Sequence, residues 1–347
     1  MKTLLFFLFY PSILFAQVDS TDIIVKRLMD EQKIIGLSLA VVKNGQAVIN
    51  RAYGLADVEL NVTLTSETVI KLGSVSKQFV STAIMELAED GLLSIEDPVH
   101  KFFPDAPESW RSIRVKNLLS HSSGLQREGS AFDLSKKQPD LDIIRSAYIQ
   151  PLDFKTGEKY QYSNLAYYIL AEIITQVSGM PWQNFIHQTL FVPAGMQNSY
   201  ITDFYAIIPN RASGYTYRND TLVNAQTMYA IRPSGGFQST TSDMIKWEKI
   251  LLEKKIILKK DNWERLWQPY TKMSAESESK AYYGFGWAID EYKGHKIIVH
   301  GGSTPGFKSV YMRFLEDKLS IIVLCNTYEA NPHSIGFALA EHYFRNR

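Results

Sequence analysis

A single cysteine, Cys325, stands among 347 residues, so no internal disulfide can form and the chain is not a cross-linked scaffold. Excess charge is also missing: 37 Lys and Arg face 36 Asp and Glu, and losing Lys2 with the leader described below brings the difference to zero. That balance argues against recruitment of nucleic acid or an anionic membrane by long-range electrostatics. Runs such as Lys254-Lys255 and Lys259-Lys260 read as the solvated face and end of a helix. Several signature loops are absent as well. There is no Gly-x-Ser-x-Gly elbow, which excludes that strand-turn-helix nucleophile. Neither a Walker-type loop nor a Gly-x-Gly-x-x-Gly fingerprint occurs, so nothing cradles a nucleotide. The seven histidines are scattered without a His-Glu-x-x-His run, and neither a metal nor another cofactor is expected.

Long apolar runs are confined to the N-terminus, where Leu4 to Phe15 is shorter than the roughly 20 residues that span a bilayer and is broken by Pro11. With Met1-Lys2 before it and Ala16-Gln17 after it, this stretch has the three regions of an export signal. Residues 1–16 therefore read as a signal peptide, and 17–347 as an exported domain, periplasmic or extracellular, with no membrane anchor after cleavage. Cys325 follows the apolar run Ser320 to Leu324 and reads as an inert core thiol.

What is present suits one folded body, since 45% hydrophobic and 21% charged residues supply a core without extended disorder. Apolar spacing predicts a short helix over Ile24 to Leu28, then strands Gly36 to Val42 and Ala47 to Tyr53 joined by Asn44-Gly45. Near the other end, Tyr283 to Ile289, Lys296 to Val299, Phe307 to Phe314 and Leu319 to Leu324 read as strands, and Pro332 to Tyr343 as a closing helix. Between them helical periodicity dominates: Val75 to Leu87, Leu165 to Val177 ending at Gly179, and Met244 to Leu252. The expected fold is mixed α/β, with an antiparallel sheet built from both chain ends (about 17–73 and 280–347) and flanked by helices. A central helical lobe (about 74–279) would stand beside it, with a cleft between the lobes.

Ser74-Val75-Ser76-Lys77 sets a hydroxyl and an amine three residues apart at a helix start, so both can face one side. The helix dipole and burial would each disfavour a cation there, leaving a neutral amine able to take the Ser74 proton. Ser277-Glu278-Ser279-Lys280 has the same spacing inside a polar loop and reads as accidental. Tyr162-Ser163-Asn164, after a turn at Thr156-Gly157, offers a phenol for proton transfer and an amide at alternate positions; by itself it reads equally as a buried tyrosine and a helix cap. His300-Gly301-Gly302 ends a strand. Gly302 would leave backbone room for a substrate along the strand edge, and His300 would bind a carboxylate or carbonyl if charged or donating.

In this order the three motifs resemble those of serine beta-lactamases and penicillin-binding proteins, particularly the branch of class C beta-lactamases, DD-carboxypeptidases, D-aminopeptidases and family VIII esterases. Leu118-Leu-Ser-His-Ser-Ser-Gly-Leu125, Gly235-Gly-Phe-Gln-Ser-Thr240 and Gly301-Gly-Ser-Thr-Pro-Gly-Phe307 are similar to this branch too. The resemblance implies an acyl-enzyme on Ser74, with Lys77 and Tyr162 relaying protons and Asn164 holding the substrate amide or the lysine. It implies an oxyanion hole from the backbone N–H groups of Ser74 and Ser303, and a structural role for the loop of His121. Class C enzymes carry Lys-Thr-Gly where this chain has His300-Gly-Gly302, which points away from efficient lactam hydrolysis; the literal Lys155-Thr156-Gly157 sits in a turn and reads as coincidence. The expected substrate is a small ester or a peptidoglycan-like D-amino-acid peptide. A beta-lactamase, and a penicillin-binding or sensor module that acylates without turnover, are the alternatives.

Overall fold

The computed structural model describes residues 20–201, 205–226, 232–254, 256–274 and 280–345; the expected leader and the residues Ser277 to Ser279 of the accidental tetrad lie outside them. Fourteen strands follow along the described chain: β1 (Gly36–Lys43), β2 (Gln46–Asp57), β3 (Val62–Thr63), β4 (Ile70–Lys71), β5 (Tyr200–Ile201), β6 (Tyr215–Arg218), β7 (Thr221–Asn224), β8 (Phe237–Ser239), β9 (Thr271–Lys272), β10 (Tyr282–Tyr283), β11 (Ala288–Tyr292), β12 (His295–Thr304), β13 (Phe307–Phe314) and β14 (Leu319–Cys325). Nine of them form an antiparallel sheet in the order β3-β2-β1-β14-β13-β12-β11-β10-β9. The pairing of β1 with β14, Leu37 opposite Cys325, joins the two chain ends, as the terminal clustering of strands predicts. Two smaller sheets, β4-β8-β5 and the β6-β7 hairpin, draw all their strands but β4 from the middle of the sequence, where helices and loops are expected from periodicity.

The central strands are apolar on both faces because both faces are covered. Side chains alternate across a strand, so Leu37, Leu39 and Val41 join Ile321 and Val323 in a core closed by the helices Ser20–Glu31 and Pro332–Arg345. Ala40, Ile322 and Leu324 face the opposite way, into the core shared with the helices Lys77–Glu89, Leu165–Ser178 and Thr241–Glu253. Cys325 is buried in the first of these cores, where burial pushes its thiol up. The Leu165–Ser178 helix is apolar nearly all round and forms the axis of the helical side, ending at Gly179 in the expected place.

Three elements depart from the sequence reading. The stretch Tyr283 to Ile289 is split between β10 and β11 by a turn in which Gly284 N–H donates to the Trp287 carbonyl (2.8 Å) and Phe285 N–H to that of Leu266 (2.9 Å). The helix expected from Val75 begins as a 3-10 turn, Gly73–Ser76, before Lys77–Glu89. Strand β12 runs past Val299 to Thr304 because β13 pairs with it from Ile298 to Thr304, with Ser303 opposite Lys308, so His300-Gly301-Gly302 lies inside a strand.

A buried ion pair ties the Thr241–Glu253 helix to the sheet. Glu248 accepts from Arg313 Nε (2.8 Å), Ser320 Oγ (2.8 Å) and the Tyr311 hydroxyl, and neither Glu248 nor Arg313 is exposed. Glu248→Ala would strand the guanidinium, and an expected cost of about 3–5 kcal/mol should appear in urea unfolding. A loss below about 1 kcal/mol would mean that Arg313 does not depend on this carboxylate.

Candidate active site

The serine turn is docked onto β12 through two glycines. Gly73 has φ +53, and a Cβ there would lie 2.5 Å from Ser303 N, so the backbone before Ser74 touches the strand directly. On Gly302 a Cβ would meet the Leu72 carbonyl at 2.0 Å and Ser309 Oγ at 2.3 Å. The room that glycine leaves at 302 is therefore filled by the segment carrying Ser74, not held open for substrate. On its other edge β12 pairs with β11 only up to Val299, so His300 to Thr304 have no strand neighbour on that side among the described residues.

Lys77 is fully buried at the start of its helix, and its Nζ meets three groups: the Ser234 carbonyl (2.8 Å), Asn164 Oδ1 (2.9 Å) and Ser74 Oγ (3.4 Å). Burial above all holds its pKa well below the usual lysine range; Arg232 and Arg127 add to this and Glu128 opposes it. A neutral amine has two hydrogens and one lone pair. Two of its neighbours only accept, so the hydrogens go to them and the lone pair is left for the Ser74 hydroxyl.

Tyr162 lies in the loop before the Leu165–Ser178 helix, its ring 4.6 Å from Lys77 Nζ and 5.3 Å from the Arg127 guanidinium. Burial raises its phenol above the ordinary range, opposed by a hydrogen bond with Ser74. The cap reading of Asn164 fails in one respect. It stands at the N-cap position, yet Ser163 Oγ takes the Ala166 N–H (3.2 Å), which frees the Asn164 amide for Lys77. His121 touches neither Ser74 nor Lys77 by hydrogen bond. It grips the Tyr162 loop instead: its carbonyl accepts from Gln161 N–H (2.9 Å), its Nδ1 from Ser163 N–H (3.2 Å), and its ring lies 4.3 Å from that of Tyr162.

His300 is placed at the cleft, but its ring nitrogens are already engaged, Nδ1 with the Gly301 carbonyl (2.7 Å) and Nε2 with the Tyr283 hydroxyl (2.8 Å). Burial, with Lys77 nearby, pushes its pKa down to about 3. A carbonyl only accepts, so Nδ1 carries the hydrogen and Nε2 accepts from Tyr283. Of the expected alternatives, a charged or a donating histidine, the charged one is disfavoured by burial, and the donating nitrogen is already given to the Gly301 carbonyl. The cleft, about 500 Å³, is lined by Ser74, Tyr162, His300 and Ser303 with Arg127 and Lys308, and no carboxylate among the described residues lines it. Sequence reasoning missed Arg127, Glu128, Arg232 and Ser234. All four lie within three residues of the Ser/Gly-rich segments 118–125 and 235–240, which is the signal that could have found them.

Known proteins bear on this arrangement. The family model described as Beta-lactamase matches residues 22–340. "Penicillin-binding protein 4*" of Bacillus subtilis is 28% identical over 325 residues, covering 87% of this chain and 70% of that protein. The octameric penicillin-binding protein homologue from Pyrococcus abyssi superposes with a TM-score of 0.84 at 28% identity, over 93% of this chain and 77% of that one. D-amino acid amidase from Ochrobactrum anthropi SV3, at 20% identity, shares the fold with a TM-score of 0.82, over 94% of this chain and 99% of that one. With the family model spanning both the sheet and the helical side, the chain belongs to the beta-lactamase family, in the superfamily of serine beta-lactamases and penicillin-binding proteins.

Proposed function

We propose that this serine hydrolase is exported and cleaves a small ester or a D-amino-acid peptide through an acyl-enzyme on Ser74. The observation that carries the reading is the pair of neighbours around Ser74 Oγ, an amine whose charge is disfavoured and a phenol whose ionisation is disfavoured. Environments that push two titratable groups apart assign a base and an acid. Lys77 takes the Ser74 proton as Oγ attacks the carbonyl; Tyr162, still protonated, donates to the leaving group as its bond to the carbonyl carbon breaks, and the proton held by Lys77 restores the phenol. The N–H groups of Ser74, next to Gly73, and of Ser303, on the strand that Gly73 touches, receive the developing oxyanion. Water then releases the acyl group. A neutral His300 supplies no cation of its own for a substrate carboxylate, which favours substrates without one, such as esters and D-amino-acid amides; Arg127 and Lys308 are the cations that line the cleft. Export rests on the residue pattern of 1–16.

Labelling the purified protein with a fluorophosphonate or penicillin probe and mapping the peptides is expected to place the modification on Ser74, with none in Ser74→Ala. Labelling that persists in that variant would end the assignment. The relatives named penicillin-binding proteins favour a second reading, an acyl-enzyme that stalls. Stoichiometric, long-lived labelling without turnover of p-nitrophenyl esters, D-amino-acid peptides or nitrocefin would select it.

A further inference from the structure

The contacts of Lys77 continue to two charged side chains outside the three motifs. Asn164 Nδ2 donates to Glu128 Oε1 (2.7 Å), and the same oxygen takes Arg232 Nη2 (2.5 Å). An amide has one donating and one accepting end, so anchoring its donor on a carboxylate turns Oδ1 to Lys77. Arg232 also opens the turn that carries Ser234, and its carbonyl accepts from Gly235 N–H (3.0 Å) and Gly236 N–H (2.6 Å). Its guanidinium rests 4.3 Å from the Phe132 ring. One end of the ion pair thus orients one acceptor of Lys77, and the other end belongs to the turn that supplies the second.

We propose that Glu128 and Arg232 form a positioning pair for acylation, fixing the Asn164 amide and the Ser234 carbonyl on Lys77 and balancing the charge around it. The inference rests on the reading of Lys77 as base. Lys77 is faced by the rings of Tyr162 (4.6 Å) and Tyr167 (5.1 Å), and by Arg127, Arg232, Glu128, His121 and His300 as charged or titratable neighbours. Burial does most to disfavour its charged form, Arg232 adds to that, and Glu128 acts the other way. Without Glu128 the amine loses its proton at lower pH; without Arg232, at higher pH.

The test compares wild type, Glu128→Gln, Arg232→Gln, Lys77→Ala and the charge-neutral double variant Glu128→Leu/Arg232→Met on p-nitrophenyl acetate, with melting curves beside the kinetics. The acid limb of kcat/KM is expected to move down by about one pH unit in Glu128→Gln and up by a similar amount in Arg232→Gln. In the double variant it should stay near the wild-type position while kcat/KM falls about tenfold or more, because the Asn164 amide is free to turn. A merely structural pair would lower stability without moving the limb in opposite senses. Limbs that do not move, or that move the same way, overturn the proposal. If a single variant does not fold, wild-type kcat/KM in the double variant overturns it. Wild-type activity in Lys77→Ala would overturn the base assignment and the pair together, whereas an inactive Lys77→Ala beside unmoved limbs overturns only the pair.

Discussion

Replacing Lys77 with methionine is expected to slow acylation of Ser74 by about a thousandfold, the scale for losing a positioned proton acceptor. Methionine keeps most of the buried volume, so the Lys77–Glu89 helix and its 3-10 entry should survive, and an unchanged melting temperature would separate lost chemistry from lost fold. Wild-type kcat/KM should rise with pH through a limb set by an amine held well below its usual range, then level off; the methionine variant should have no such limb. Burst kinetics with an activated ester give the acylation rate directly. Near-normal acylation in this variant would remove Lys77 from the mechanism.

Tyr162→Phe is expected to lower acylation about a hundredfold, and unevenly across substrates. The phenol is raised by burial, so at working pH it holds its proton and can give it up only to a departing group. A p-nitrophenolate departs without that proton; the amine of a peptide does not. The loss should therefore be large for a D-amino-acid peptide or amide and small for a p-nitrophenyl ester. Equal losses on both would mean that Tyr162 serves Ser74 at the attack rather than the leaving group. Circular dichroism should match wild type, since the ring contacts with His121 and Tyr283 do not need the hydroxyl.

Legibility differed by element for a physical reason. Strands β13 and β14 and the helix Leu165–Ser178 declare themselves because burial on nearly every side imposes apolar residues at most positions, which one dimension displays. The small sheets β4-β8-β5 and β6-β7 do not, since strands of two to four residues carry no readable period. His300 was legible as a candidate site residue, but the partner that fixes its ring was not. Its partner Tyr283 sits 17 residues earlier on another strand, and nothing local signals that hydrogen bond.

By itself the sequence determined that Ser74 and Lys77 share one face of a helix start, that Tyr162 and Asn164 precede a second helix, and that strands at both chain ends can pair. These follow from spacing and periodicity, which depend on near neighbours alone. Only the tertiary structure decided which partners each group meets. Ser234, Asn164 and Ser74 converge on one amine from segments 157 and 87 residues distant and three residues away. Burial at that meeting point disfavours the lysine cation and the tyrosinate alike, because removing charge from water is costly whatever its sign. Proton affinity is a property of the assembled surroundings, and no residue carries it in its name.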